Sequence, residues 1–439
     1  MKSIDSSILQ HAQDLLSFID QSPSPWHAVA SIEDLLSERD YICLDETQAW
    51  KLQQGGRYYV VRDGSSVICF TIGKKTLSKT GFRIIGAHTD SPGFRIKPNA
   101  AATSKGIIRL GVEIYGGPIL ATFTDRDLSL AGRVTFKTEN DCLETQRVSF
   151  TDPILRLPNL AIHMNRKVNE EGLKLDKQNQ LALILSSVQQ GLEPPSVFLQ
   201  MLGSQLNIDP TSILSWDLAV CDTQKGVLYG PSNEYLANSQ LDNLASCHAA
   251  ITALLDQSSQ ESEATNICAF FDHEEIGSQS MKGADGNFLP DILERIAASL
   301  KLKTDAYKQA LANSFIISAD MAHAFQPNFS AAYEPDHPVF VNQGPVIKIN
   351  ANQRYSSESI SDARFIRLCE DVKTPWQKYT HRSNLPCGST IGPMTSARLG
   401  IRSVDVGNPM WAMHSIRESA GVIDHSYITQ VFTHFFSGG

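Results

Sequence analysis

Five side chains spread along the chain are of the types that hold divalent metal ions. Each stands at the edge of a short apolar run or in the loop beyond one. His88 follows FRIIGA at 82–87, and Asp320 follows SFIISA at 314–319. Glu275 follows ICAFF at 267–271 through Asp272, His273 and Glu274, and His414 lies in the loop beyond IRSVDV at 401–406. Asp242 stands just ahead of an amphipathic segment. Zinc-type ions take imidazole nitrogen and carboxylate oxygen, and a catalytic site keeps a position for water. A pair of such ions needs two histidines and about three carboxylates, one of them bridging. On this reading His88 and Asp320 hold one ion, Glu275 and His414 hold the other, and Asp242 lies between. Two dications against three carboxylates leave a net positive site, which stabilises hydroxide as a nucleophile at neutral pH.

Glu274 has a separate task. Neighbouring residues at a strand end point in different directions, so Glu275 can bind metal while Glu274 faces the water. There it can take a proton from the water and return it to a leaving amine. Asp90, two residues beyond His88, is placed to hydrogen-bond the other imidazole nitrogen and fix its tautomer. Each fragment alone has an ordinary reading. A His-x-Asp is a common surface turn, a Glu-Glu pair is commonly solvated, and Asp242 or Asp320 could cap a helix. Their order and their shared position at strand ends set them apart.

Positioning these groups requires strands with parallel ends. The apolar runs are short and bounded by turns, as buried strands are. Helical patterns lie between them: Leu244, Cys247, His248, Ile251, Leu254 and Leu255 mark one face, and 292–300 marks another. Alternating strands and helices predict an α/β fold, an open sheet with flanking helices, with ligands bound beyond the carboxyl ends of the strands. Residues 92–234 are different: VEIYGG, RVTFKT and RVSF are β-rich, with Gly, Asn and Asp turns. The expected organisation is a catalytic domain at 1–91 and 235–439, interrupted by an inserted β-rich domain at 92–234. A length of 439 residues fits two domains better than one, since single cores rarely grow beyond about 250–300 residues.

Composition removes several function classes. A net charge of −9 argues against nucleic acid as the main partner. The longest apolar runs, such as LALIL at 181–185, fall far short of the roughly 20 residues of a membrane span. The first 20 residues mix acidic and polar side chains among Ile4, Ile8, Leu15 and Ile19, a surface helix rather than a secretory signal. The eight cysteines include no C-x-x-C pair, and Cys69 and Cys268 sit in apolar runs, which fits a reducing cytoplasm and excludes a zinc ribbon. No glycine-rich phosphate loop follows a strand, and MKGADG at 281–286 is a turn.

With these residues in view, the chain resembles the M18 metallopeptidases, the aspartyl aminopeptidases and their bacterial relatives. The matching segments include GAHTDSPGFRIKP at 86–98, PNLAIHMNR at 158–166, LDNL at 241–244, FDHEEIGS at 271–278, SADMAHA at 318–324, GPVIKINANQRY at 344–355, CGSTIGP at 387–393 and AMHSIRE at 412–418. The resemblance implies the same ligands and the same roles for Glu274 and Asp90. It implies a dinuclear zinc aminopeptidase, manganese or cobalt being the other candidates, that acts on peptides with a free N-terminus and favours Asp or Glu there. It also implies that the inserted domain mediates dimerisation, and that dimers assemble into a tetrahedral dodecamer. Lys348 then matches a lysine that pairs with the acidic side chain, His323 a substrate contact, and His163 a histidine that reaches a neighbouring subunit's site. Three positions depart from the family pattern: Gln240 where Arg is usual before LDN, Gln326 where His is usual, and Asn384 where Asp is usual. None removes a ligand or the base. Other readings are a different co-catalytic metal amidohydrolase, such as a deacylase or carboxypeptidase, and a catalytically silent metal-binding scaffold. Glu274 separates the last, because a structural site is normally closed by four ligands with no spare carboxylate.

Overall fold

The computed structural model describes residues 4–187, 193–257 and 262–439. Its contacts divide the chain into two compact units. The first comprises Met1–Asp90, Gly226–Met413 and Glu418–Gly439; the second comprises Ser91–Lys225 and His414–Arg417. The second unit thus ends at Lys225 rather than at 234 and takes in a short segment around His414. Residues 188–192 of the expected insertion lie outside the described residues.

The first unit is built on a mixed nine-stranded sheet. Its middle is a parallel run in the order Thr265–Phe271, Phe82–His88, Phe315–Ala319, Arg402–Gly407. These are the four apolar runs picked out above, and their patterns, buried except at Arg83 and Arg402, explain why the sequence shows no polar alternation. Side chains alternate between two cores. Ile85, Ala87, Cys268, Phe270, Ile317 and Val404 face one, packed under the helices Ser6–Asp20, Leu241–Gln257 and Val422–Ser437. Ile84, Ile267, Ala269, Phe271 and Ile316 face the other, under Phe288–Ser299 and Ile391–Leu399. Burying one such Ile or Phe contributes roughly 1.5–3 kcal/mol, so the sheet is the rigid part of this unit. An α/β sheet covered on both faces is the architecture expected from the pattern.

Register brings the strand ends level. His88 pairs with Phe271, and Ser318 pairs with Gly86 and with Asp405. The residues that follow, at 89–90, 272–275 and 320, therefore leave the sheet along one edge. A smaller sheet in the same unit carries Ala322–His323, Pro409–Trp411 and Glu418–Gly421.

The second unit is an antiparallel six-stranded sheet that includes Gly93–Ser104, Ile107–Tyr115, Leu128–Lys137 and Ile213–Asp222. The helix Pro194–Leu206 buries Phe198 and Leu202 in its core. Among the described residues no helix is long and apolar enough to cross a membrane. The cysteines are free, and Cys69, Cys247 and Cys268 are buried as small core residues.

Candidate metal centre

His88 ends its strand and is buried, as is Asp90. The His88 Nδ1 lies 3.0 Å from the main-chain carbonyl of Asp90, while the Asp90 carboxylate stands farther off at 3.5 Å. The carbonyl can only accept, so Nδ1 carries the proton and Nε2 offers its lone pair to a metal. The Asp90 carboxylate holds something else as well. Its two oxygens accept from the main-chain N–H groups of Glu274 and Glu275, each at 3.1 Å. One aspartate thereby fixes the turn that presents both glutamates.

Asp242 sits where the helix Leu241–Gln257 has not yet taken helical geometry, with φ −83° and ψ 103°. Its N–H donates to the buried carboxylate of Glu418 at 3.0 Å. The next residue, Asn243, donates to the Ala319 carbonyl at 2.8 Å, which ties this helix to the strand end before Asp320. From His88 Nε2 the distances are 3.5 Å to Asp242 Oδ1 and 3.8 Å to Asp320 Oδ2. Tetrahedral ligands on bonds of about 2.0–2.1 Å stand roughly 3.3 Å apart, so these separations fit a shared ion. Donor atoms of His88, Asp242 and Glu275 all lie within 4.8 Å of one another, as do those of His88, Glu274 and Asp320.

The electrostatics support a cation here. Burial, together with Asp320, Asp90 and Asp242, pushes the Glu274 carboxyl up to about 8, with His88 opposing. Burial also raises Asp320, even with Lys348 beside it. For His88, burial works to lower the pKa but the surrounding carboxylates outweigh it and raise it. A crowded carboxylate group of this kind is costly on its own, and a bound dication reverses the cost.

Lys348, on the strand Val346–Ile349, is buried. Its Nζ donates to Asp320 Oδ1 at 3.0 Å and to the Met321 carbonyl at 3.1 Å. Asp320 is thus divided, with Oδ1 on Lys348 and Oδ2 toward His88. His323 lies with its ring 5.7 Å from Tyr379 and 6.2 Å from His381. A cavity of ≈ 560 Å³ beside Ile349 is lined by Arg354, His381, Arg382, His337 and Glu334. Asn384 accepts from Arg382 Nε at 2.8 Å, and Gln326 caps the turn at Pro327–Ala332 by accepting from Asn328 N–H. Gln240 takes a left-handed φ of 57° and its carbonyl accepts from Leu244 N–H.

Two expected residues fall in the other unit. His414 groups there by its contacts, with Nδ1 3.1 Å from the Gly117 carbonyl. His163 is exposed, between the exposed side chains of Ile162 and Met164. Sequence reasoning missed Glu418, Asn243 and Lys282. The buried Lys282 ammonium stands 3.0 Å from Asp272 Oδ2 and 2.9 Å from Asp63 Oδ2, anchoring the strand end before Glu274. It lies in the stretch read only as a turn.

Gly407 guards the same edge. A Cβ there would fall 1.8 Å from the Asp320 carbonyl oxygen. Gly407→Ala should therefore part the two strands at the ligand, lower stability by about 1–3 kcal/mol and weaken zinc binding. A urea midpoint and a zinc titration check this; unchanged zinc affinity would refute it.

A mixed α/β sheet with a buried histidine–carboxylate cluster at its parallel strand ends defines a metal-dependent hydrolase. The chain belongs to the aminopeptidase I zinc metalloprotease (M18) family, whose profile matches residues 18–436. It is 43% identical over 431 residues to a probable M18 family aminopeptidase 2 of Clostridium acetobutylicum, covering 98% of this chain and 99% of the relative. A chain in the cryo-EM structure of the Ape4 and Nbr1 complex matches with TM-score 0.95 and 36% identity, covering 100% of this chain and 88% of that one. A chain in the structure of the S. cerevesiae mApe1 dodecamer matches with TM-score 0.85 and 27% identity, covering 97% and 96%. The enzyme is a metalloaminopeptidase.

Proposed function

We propose that this metalloaminopeptidase is dinuclear, that Glu274 is its general base and acid, and that it favours acidic N-terminal residues. The carrying observation is two groups of donor atoms that share His88, one with Asp242 and Glu275 and one with Glu274 and Asp320, drawn together by level strand ends and the start of the helix Leu241–Gln257. His88, Asp242, Glu275, Asp320 and His414 would hold the ions, with Asp242 shared between them. Two divalent ions, zinc by the family's description, supply Lewis-acid polarisation of the scissile carbonyl and make water more acidic when bound.

The chain's own residues do the rest. Asp90 holds the turn, so the Glu274 carboxylate is presented without rearrangement. Glu274 takes a proton from the attacking water and delivers it to the leaving amine. His88 keeps Nε2 available because its Nδ1 proton is held by the Asp90 carbonyl. Lys348 holds Oδ1 of Asp320, which leaves Oδ2 turned toward His88, where it would meet an ion. An ammonium has three donors, and Asp320 and Met321 take two. The third serves a substrate carboxylate, and His323, whose ring lies 5.7 Å from Tyr379, the residue paired with Lys348 on the next strand, is a further contact. The inserted unit is the dimerisation domain, and assembly is dodecameric. Exposed Leu160, Ile162 and Met164 flanking His163 support a surface that a second subunit covers. The setting proposed is the cytoplasm.

Chelation should abolish cleavage of N-terminal Asp and Glu substrates, and zinc should restore it. Substrates with a blocked N-terminus should stay uncut in either state. Cleavage that survives exhaustive chelation, with zinc shown absent by elemental analysis, would sink the metal mechanism. Equal rates on acidic and neutral residues would remove only the preference.

A further inference from the structure

Three histidines far apart in sequence meet on three helices of the first unit. His11 comes from Ser6–Asp20, His248 from Leu241–Gln257, and His425 from Val422–Ser437. His248 and His425 are buried, and His11 is half-buried. His248 Nδ1 stands 2.9 Å from His425 Nε2, and the His11 ring stacks on His425 at 4.6 Å. One ligand atom from each lies within 4.8 Å of the other two. None of these residues takes part in the centre built around His88.

We propose that His11, His248 and His425 form a second transition-metal site, separate from the catalytic centre, for a divalent ion that prefers imidazole nitrogen, such as zinc. The hydrogen bonding shows which nitrogens are available. The Thr429 hydroxyl donates to the His425 carbonyl at 2.8 Å, so its one proton is used. His11 Nε2, 3.1 Å from that hydroxyl, must then donate its N–H, which leaves the lone pair on Nδ1. Ligating histidines are held in this way, by an acceptor on the nitrogen away from the metal. Between His248 and His425 one proton is shared across 2.9 Å, and an ion would replace it, each ring giving one lone pair. His425 Nδ1 is meanwhile buried without a hydrogen-bond partner.

Two further features favour an ion. Burial lowers the pKa of all three imidazoles, His248 down to about 3, so they are neutral, the ligating form. Asp14 and Asp256 act on His11 and supply negative charge on the solvent side. A cavity of ≈ 550 Å³ lined by His11, Thr252, Asp256, Thr429 and Thr433 gives an entry path and room for a water ligand. Its polar walls continue from the histidines at helical spacing: Thr252 and Asp256 follow His248 on one helix, and Thr429 and Thr433 follow His425 on another. With three neutral nitrogens and no thiolate, the site suits zinc, copper(II) or nickel rather than calcium or magnesium.

The test is ion content of the full chain, stripped by chelation and dialysed against zinc at a level that saturates catalysis. Wild type should hold one more zinc per chain than His11→Gln or the pair His248→Phe with His425→Phe. Cleavage by His11→Gln should be unchanged, because His11 lies outside the catalytic machinery. Thr429→Val, which removes the acceptor from His11, should weaken the extra ion by about 10–100-fold. Equal zinc content in wild type and both histidine variants would overturn the proposal. So would an ion lost in His11→Gln but kept in the His248–His425 pair, which would mark an adventitious surface histidine.

Discussion

Glu274→Gln should lower kcat by roughly 10²–10⁴-fold, the usual contribution of a positioned acid–base group, while fold and zinc content stay at wild-type values. Glutamine has the same shape but no basic oxygen, so it cannot take a proton from water. The main chain at 274 is held by Asp90 through its N–H, a contact that does not involve the side chain. The substitution also puts a neutral amide where burial and the neighbouring Asp320, Asp90 and Asp242 disfavour a carboxylate, so stability should not fall. The measurements are kcat and KM on an acidic substrate, zinc per chain, and a melting curve. Turnover within about tenfold of wild type would end the general-base assignment. Zinc lost together with turnover would make Glu274 a ligand instead. Full zinc and no turnover would also dispose of the silent-scaffold reading, because the only thing changed is the spare carboxylate.

The parts of this site legible in sequence are those fixed by a single strand. The runs before His88, Asp272 and Asp320 are short and buried on both faces, so each reads as a strand with a polar end. Parallel pairing then makes those ends level, which brings His88, Glu274, Glu275 and Asp320 into one neighbourhood. Contacts that depend on the fold closing were not legible. Nothing around Glu418 says that it accepts from Asp242 N–H, because 176 residues separate them. Lys348 read as a substrate lysine, yet its carboxylate partner in the structure is Asp320. His248 sat within a good apolar stripe and looked like core, which it is by burial. Its meaning changes only when His11 and His425 arrive from the two ends of the chain.

Lys348→Met should reduce the preference for acidic over neutral N-terminal residues by at least about tenfold in kcat/KM, measured at saturating zinc. Methionine keeps the length of the stem and loses the ammonium, and one charge-assisted hydrogen bond to a substrate carboxylate is worth about 1.5–3 kcal/mol. A second effect must be separated from this one. Lys348 also pairs with Asp320 in a buried site, and removing one partner of such a pair costs about 3–5 kcal/mol. Zinc affinity should therefore fall as well, since Oδ2 of Asp320 loses the contact that aims it. The two effects have different signatures. Loss of ligand positioning acts on every substrate alike and is offset by added zinc, whereas loss of the substrate contact changes the acidic-to-neutral ratio at any zinc concentration. A ratio that stays at its wild-type value, with weaker zinc binding, would confine Lys348 to holding Asp320. The recognition of acidic residues would then have to come from the ≈ 560 Å³ cavity and its Arg354 and Arg382, which a matching pair of alanine variants would test.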